Sequence, residues 1–252
     1  MLQVARRQWG AECGSVAERL SSPPCPMASR LPLRVYYDLL SQPCRAVLLF
    51  LKCTGIPHVE KPVALRNGEQ TSVEFTKLNP MQKVPVIVDN GFVLTESVAI
   101  LKYLATKYDV PQFWYPPDLH QRAKVDEYMA WQHANVRFHA AKVFILEVLM
   151  PNMSGQPVDK DKLDKALGEL SVTLDKLECM YLKNQPFLCG EEITLGDILA
   201  ICELMQPLGA NRDILKDRPK LVAWKDRVKT FVGQPFDEVH SFVYKLRDKA
   251  KL

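Results

Sequence analysis

The feature that most constrains this chain is a change of period partway along it. From Leu33 to Tyr108, short β-prone runs alternate with stretches of helical spacing, whereas beyond Pro116-Pro117 only the helical spacing continues. Leu33 to Tyr37 reads as a strand. Pro43 suits the first turn of a helix, where its missing N–H is not needed. In that helix Cys44, Val47, Leu48 and Leu51 share one face and Gly55 ends it. A second strand is expected over Ile56 to Val63 and a short helix near Ser72 to Leu78. Val84 to Asp89 and Phe92 to Leu94 flank Asn90-Gly91, a strong hairpin signal. A helix from Glu96 to Tyr108, with Ile100, Leu101, Leu104 and Tyr108 inward, closes the unit. This order, β-α-β-α-β-β-α, describes a small mixed sheet with helices packed on it.

The second half carries a different pattern. Leu163, Leu167, Leu170, Leu174, Leu177 and Tyr181 form an apolar seam stepping by four and three, and Leu221, Trp224, Val228 and Phe231 repeat it. Between them Thr194 stands three residues ahead of Asp197 with Ile193 before it, which is a capping box with its staple residue. The expected fold class is therefore α/β plus all-α.

Composition narrows the function. Of 252 residues 47% are hydrophobic and 25% charged, as in a folded globular protein. The longest apolar run, Ala46 to Leu51, falls far short of the ~18 residues of a membrane span. Seven cysteines without a C-x-x-C or zinc-finger spacing speak against a disulfide scaffold and make a reducing, cytoplasmic setting the default. The net charge of +4 is concentrated towards the C-terminus, where ten Lys and Arg in residues 216–252 alternate with five acids and with apolar positions. That is the solvated side of helices, so nucleic acid is not an expected partner. Residues 1–32 lack a periodic apolar face and hold Ser21-Ser22-Pro23-Pro24-Cys25-Pro26; they read as a disordered leader, with Met27 as an alternative start.

Two places in the first half could carry chemistry. Ser41-Gln42-Pro43-Cys44 leads into a helix N-terminus, whose N–H groups and dipole favour an anion, and Ser41 either caps that helix or donates a hydrogen bond to the anion. Lys83-Val84-Pro85 precedes a strand, as an ordinary strand start or with a cis Val84–Pro85 bond. Thr95-Glu96-Ser97 then opens another helix, where Glu96 could take an ammonium and Ser97 a carboxylate, or the pair could simply cap.

The order of these motifs resembles the cytosolic glutathione transferases, most closely the theta class. The likeness is carried by Tyr37 to Arg45, Asn79-Pro80 through Pro85, Leu94 to Ile100, Val125-Asp126-Glu127-Tyr128 and Thr194 to Asp197, and it covers roughly residues 33 to 245. It implies a thioredoxin-like N-terminal domain over residues 33–112 and an all-helical C-terminal domain over 117–252 that completes the electrophile site. It further implies that the Ser41 hydroxyl stabilises the glutathione thiolate. Val84 would pair through its backbone with the cysteinyl part beside a cis Pro85, Glu96 and Ser97 would hold the γ-glutamyl end, and Lys83 would approach the glycyl carboxylate. Glutathione is then a co-substrate, no cofactor or metal is needed, and the protein is expected to be a homodimer acting on small electrophiles (alkyl halides, epoxides) or hydroperoxides. The rival reading is a non-catalytic binding or interaction module of the same fold.

Five positions depart from the class pattern or need separate treatment. Gln70 occupies a loop position where theta members commonly have histidine, and it would hydrogen-bond the glycyl end. Arg137 matches a basic position that lines the electrophile pocket in some theta enzymes, with a surface ion pair as its other reading. Cys44 is expected to face the core, with monothiol redox chemistry as the minor alternative. His133 and His139, six apart, are expected in packing or surface roles. The chain ends at Leu252, where theta proteins usually continue into a helix covering the site, so a more open pocket is expected.

Overall fold

The computed structural model describes residues 31–250. The leader expected over 1–32, including Met27, lies almost wholly outside the described residues.

Four strands form one mixed sheet in the order β2-β1-β3-β4. Strands β1 (Leu33–Tyr37) and β2 (His58–Pro62) run parallel, with Leu33 opposite His58. Strand β3 (Val86–Asp89) lies antiparallel to β1 and to β4 (Phe92–Thr95), and Val86 faces Thr95 across the hairpin. The parallel pair needs a crossover, which is supplied by helix α1 (Gln42–Thr54). Gly55 stops α1 in the left-handed conformation, at φ 68°. Every residue of α1 from Pro43 to Leu51 is buried. A helix apolar on one side alone would not need this, but α1 meets the sheet and helix α3 (Ser97–Lys107) on one flank and helices α8 (Leu195–Leu204) and α10 (Gln234–Lys249) on the other. A short helix α2 (Val73–Leu78), capped by Ser72, precedes β3.

The rest is helical. Helix α4 (Leu119–Gln132) passes through a π turn at His133–Arg137 into α5 (Phe138–Phe144), and a second π turn at Ile145–Leu149 leads to α6 (Met150–Ser154). The seam lies on α7 (Lys160–Lys176) and the π turn Leu177–Leu182 after it. Leu163, Leu170, Leu174, Leu177 and Tyr181 are buried, while Leu167 is only partly so. Helix α9 (Pro219–Val232) buries Leu221, Trp224 and Val228, but Phe231 does not point inward as its spacing suggests. Half exposed, it stacks edge-on against Phe113 and Trp114 at 5.7 and 5.8 Å, and Val232 fills the inward position. Trp114 in turn reaches Phe50 of α1, so these rings seal the junction between the sheet and the helices.

The capping box at the start of α8 forms as the sequence suggests. The buried Asp197 carboxylate accepts from Thr194 N and Leu188 N at 2.9 Å, from Thr194 Oγ1 at 3.1 Å and from Trp224 Nε1 at 2.9 Å.

Candidate active site

The strand–helix junctions of the sheet bring the chemistry together at one end. Ser41 is the N-cap residue of α1, and its Oγ accepts from Cys44 N at the long distance of 3.4 Å. Its own hydroxyl proton is left for another acceptor. The turn that carries Ser41 is fixed from three sides. Asp38 accepts from Leu40 N with Oδ1 at 2.7 Å and from Ser41 N with its carbonyl at 3.0 Å. Asp38 Oδ2 accepts from Leu65 N at 3.0 Å, tying this turn to the loop that holds Gln70. Beneath it, the buried Arg45 donates to the Leu39 and Leu40 carbonyls at 2.8 and 3.3 Å.

A cavity of about 140 Å³ opens beside the α1 N-terminus. Its wall includes Pro43, Lys83, Val84, Pro85, Glu96, Ser97 and Arg137, so six of the eight expected site residues share one space. Ser41, two residues before the lining residue Pro43, does not itself line it. Gln70 does not line it; Gln70 sits on a 3-10 turn, Glu69–Thr71, with its Oε1 buried and lacking a partner.

Each wall residue is set by local structure. The Val84–Pro85 bond is cis. Buried Asn79 donates its amide to the Lys83 carbonyl at 2.8 Å and accepts from Met81 N at 3.1 Å, which folds the loop ahead of β3. Glu96 has φ 65° and ψ 109° between β4 and α3, a conformation that a residue with a Cβ holds only when its neighbours impose it. Its carboxylate caps nothing, so the first N–H groups of α3 face the cavity side without a side-chain acceptor. Ser97 is buried directly behind it.

His133, expected in a packing or surface role, also borders this cavity. The residue is exposed on the cavity wall one helical turn before Arg137. The i, i+4 spacing to Arg137 was the available signal. Lys83 and Arg137 against one Glu96, with His133 beside them, make a cavity suited to an anionic ligand.

Cys44 is fully buried, and burial pushes its thiol up to about 12, far from a nucleophile at neutral pH. Among the described residues no group of His, Cys, Asp and Glu is arranged to hold a metal ion. A larger groove of about 420 Å³ between α8, α9 and α10 is less suited to a charged ligand. Its Arg212, Lys225, Lys229 and Arg247 already pair with Glu147, Asp226, Asp237 and Asp248.

Comparison with known proteins gives the family of the two halves. Residues 34–106 match the family model for the glutathione S-transferase N-terminal domain, and residues 140–230 match that for the C-terminal domain. Glutathione S-transferase theta-1 of Bos taurus is 47% identical over 217 residues, covering 86% of this chain and 90% of that protein. Human glutathione-S-transferase T1-1 in its apo form superposes with a TM-score of 0.83 at 47% identity, covering 86% of this chain and 91% of that one. A human theta-class glutathione transferase in complex with the glutathione conjugate of 1-menaphthyl sulfate superposes with a TM-score of 0.84 at 38% identity, covering 88% and 91%.

Proposed function

The chain belongs to the glutathione S-transferase family, with theta-class relatives along most of its length, and on that premise we propose that its Ser41 hydroxyl holds bound glutathione as the thiolate for attack on a small electrophile. The observation that carries this reading is the shared cavity at the α1 N-terminus, lined by Lys83, cis Val84–Pro85, Glu96 and Ser97, with Ser41 as the N-cap of the helix whose Pro43 lines it. In this reading the Val84 backbone pairs with the cysteinyl unit, which directs its sulfur towards Ser41. Glu96 takes the γ-glutamyl ammonium, Ser97 and the α3 N–H groups take its carboxylate, and Lys83 takes the glycyl carboxylate. Gln70 assists at the glycyl end from its loop, and Arg137 borders the space the electrophile enters.

The energetics suffice. Lowering a thiol pKa by about two units needs about 2.7 kcal/mol of preference for the thiolate. A hydrogen bond to a charged group supplies roughly 1.5–3 kcal/mol, and a helix N-terminus adds about 0.3–1 kcal/mol. Ser41 and α1 together reach that sum without a metal. The second substrates would be alkyl halides, epoxides or hydroperoxides, and the working form a cytosolic homodimer. No helix among the described residues is long and apolar enough to cross a membrane.

The test is ultraviolet titration of the thiolate in the glutathione complex, wild type against Ser41→Ala. The variant should raise the bound thiol pKa by one to two units and cut turnover about 10- to 100-fold, with glutathione affinity nearly unchanged. An unaltered titration in Ser41→Ala would remove the serine from the mechanism.

A further inference from the structure

Behind the cavity wall lies a buried acid that the reading above does not use. Glu203, on α8, is fully buried, and neither carboxylate oxygen has a hydrogen-bond partner. It pairs with Arg137, whose Nε lies 4.0 Å from Glu203 Oε1, within ion-pair range but too far for a hydrogen bond. Arg137 stands on the π turn between α4 and α5, one side towards Glu203 and the other on the cavity wall, with about a third of its side chain exposed.

The other charged or titratable groups facing Glu203 are Arg45 of α1, Tyr128 of α4 and the neighbouring Cys202 of α8, whose thiol burial pushes up to about 12. Arg45 commits its terminal nitrogens to the Leu39, Leu40 and Cys202 carbonyls and to Gln206 Oε1. Tyr128 is buried, and its hydroxyl has no partner. Of these only Arg45 is charged; its positive field also acts on Glu203, more weakly than that of Arg137.

We propose that Glu203 is a positioning residue of the cavity that acts through Arg137. Ionised, it offsets the positive charge Arg137 presents and draws the guanidinium back towards α8; protonated, it leaves that charge to an anionic ligand. The inference rests on the reading of this cavity as the glutathione site. Burial pushes the Glu203 carboxyl up to about 7, against the pull of Arg137 and Arg45, which places the change within the working range of pH. His133 also lines the wall, so the experiment must separate the two.

The probe is S-methylglutathione, which has no thiol to titrate. Its dissociation constant is measured by calorimetry at pH 6 and pH 8 for the wild type and for Glu203→Gln, Arg137→Gln and His133→Gln. The wild type should bind about three- to tenfold more tightly at pH 6, the effect of one charge across a solvated cavity. His133→Gln should keep most of that ratio. Glu203→Gln should lose it and hold the tighter constant at both pH values. Arg137→Gln should lose it at the weaker constant, which keeps the proposal testable if Glu203→Gln does not fold. Any titration of the probe itself is common to all four proteins. A pH-independent wild type, or a Glu203→Gln variant that keeps the wild-type ratio, overturns the proposal while leaving the glutathione site standing. Absence of binding in every protein overturns both.

Discussion

Arg45 and Gln206 join the two halves of the molecule inside its core. The Arg45 guanidinium, carried on α1, donates at 2.5 Å to Gln206 Oε1 beyond the end of α8, and both residues are almost fully buried. The same guanidinium also bonds the Cys202 carbonyl and the two carbonyls preceding Ser41. One side chain thus fixes the helical half against the sheet and the turn that presents the proposed nucleophile-stabilising hydroxyl. Arg45→Ala would strand four acceptors, two of them buried, and should cost about 3–5 kcal/mol. Urea unfolding reads that loss. Folded Arg45→Lys, with one ammonium for a planar fork, should show a raised thiol pKa in its glutathione complex. Wild-type titration in the lysine variant would separate Arg45 from the Ser41 turn.

Glu96 trades stability for binding. Its positive φ suits glycine, and an ordinary side chain there costs of order 1 kcal/mol. Glu96→Gly should therefore stabilise the fold by about 1 kcal/mol in urea unfolding. The same change should weaken S-methylglutathione binding about 10- to 100-fold, since a charge-assisted bond to the ligand ammonium is lost. A stabilised variant with unchanged affinity would remove Glu96 from the site and leave its strain unexplained.

The sequence disclosed those parts of the fold whose signals are local. Asn90-Gly91 marked the β3–β4 turn, Gly55 the end of α1, and Thr194 with Asp197 the start of α8, because turn and cap chemistry is decided within a few residues. The site residues Lys83 to Pro85 and Glu96 to Ser97 lie next to such junctions, but it was the family resemblance, not the local signals, that brought them into one expected site. What stayed hidden is polar and buried. Arg45, Glu203 and His240 look like exposed positions to any rule that places charge outside. Their burial follows from α1 being wrapped on both flanks and α8 being buried throughout, and no periodicity within one helix records that. Phe231 failed for a related reason: an aromatic at the right spacing was drawn to Phe113 and Trp114 instead of the bundle interior.

Asp197 anchors the C-terminal half through four donors, and the two ends of its carboxylate differ in what they hold. Asp197→Asn turns one acceptor into a donor facing other donors, so a loss of about 3–5 kcal/mol is expected. Trp224→Phe removes one donor and keeps most of the ring volume, and should cost about 1–2 kcal/mol. Urea midpoints of the two variants give the order. Equal losses would mean that ring packing, and not the indole N–H, accounts for the tryptophan.

His240 and Glu203 are buried titratable groups whose effects on stability oppose each other. His240 donates through Nδ1–H to the Phe236 carbonyl, 2.7 Å away, while Nε2 has no partner. Burial, and then the nearby Arg45 charge, lower its pKa to about 3. The unfolded chain takes up that proton near pH 6.5 and the folded one does not, so acidification from pH 7 to pH 5 costs about 2 kcal/mol at this residue. Glu203, at about 7, behaves in reverse. Over the same interval the folded state gains a proton that the unfolded state does not take up until near pH 4.5, a stabilisation of about 2 kcal/mol. The two nearly cancel in the wild type. His240→Phe should therefore become about 2 kcal/mol more stable between pH 7 and pH 5 relative to the wild type, and Glu203→Gln about 2 kcal/mol less stable. Unfolding free energies at pH 7, 6 and 5 measure both slopes, and parallel slopes in all three proteins would show that neither group carries its charge change through folding.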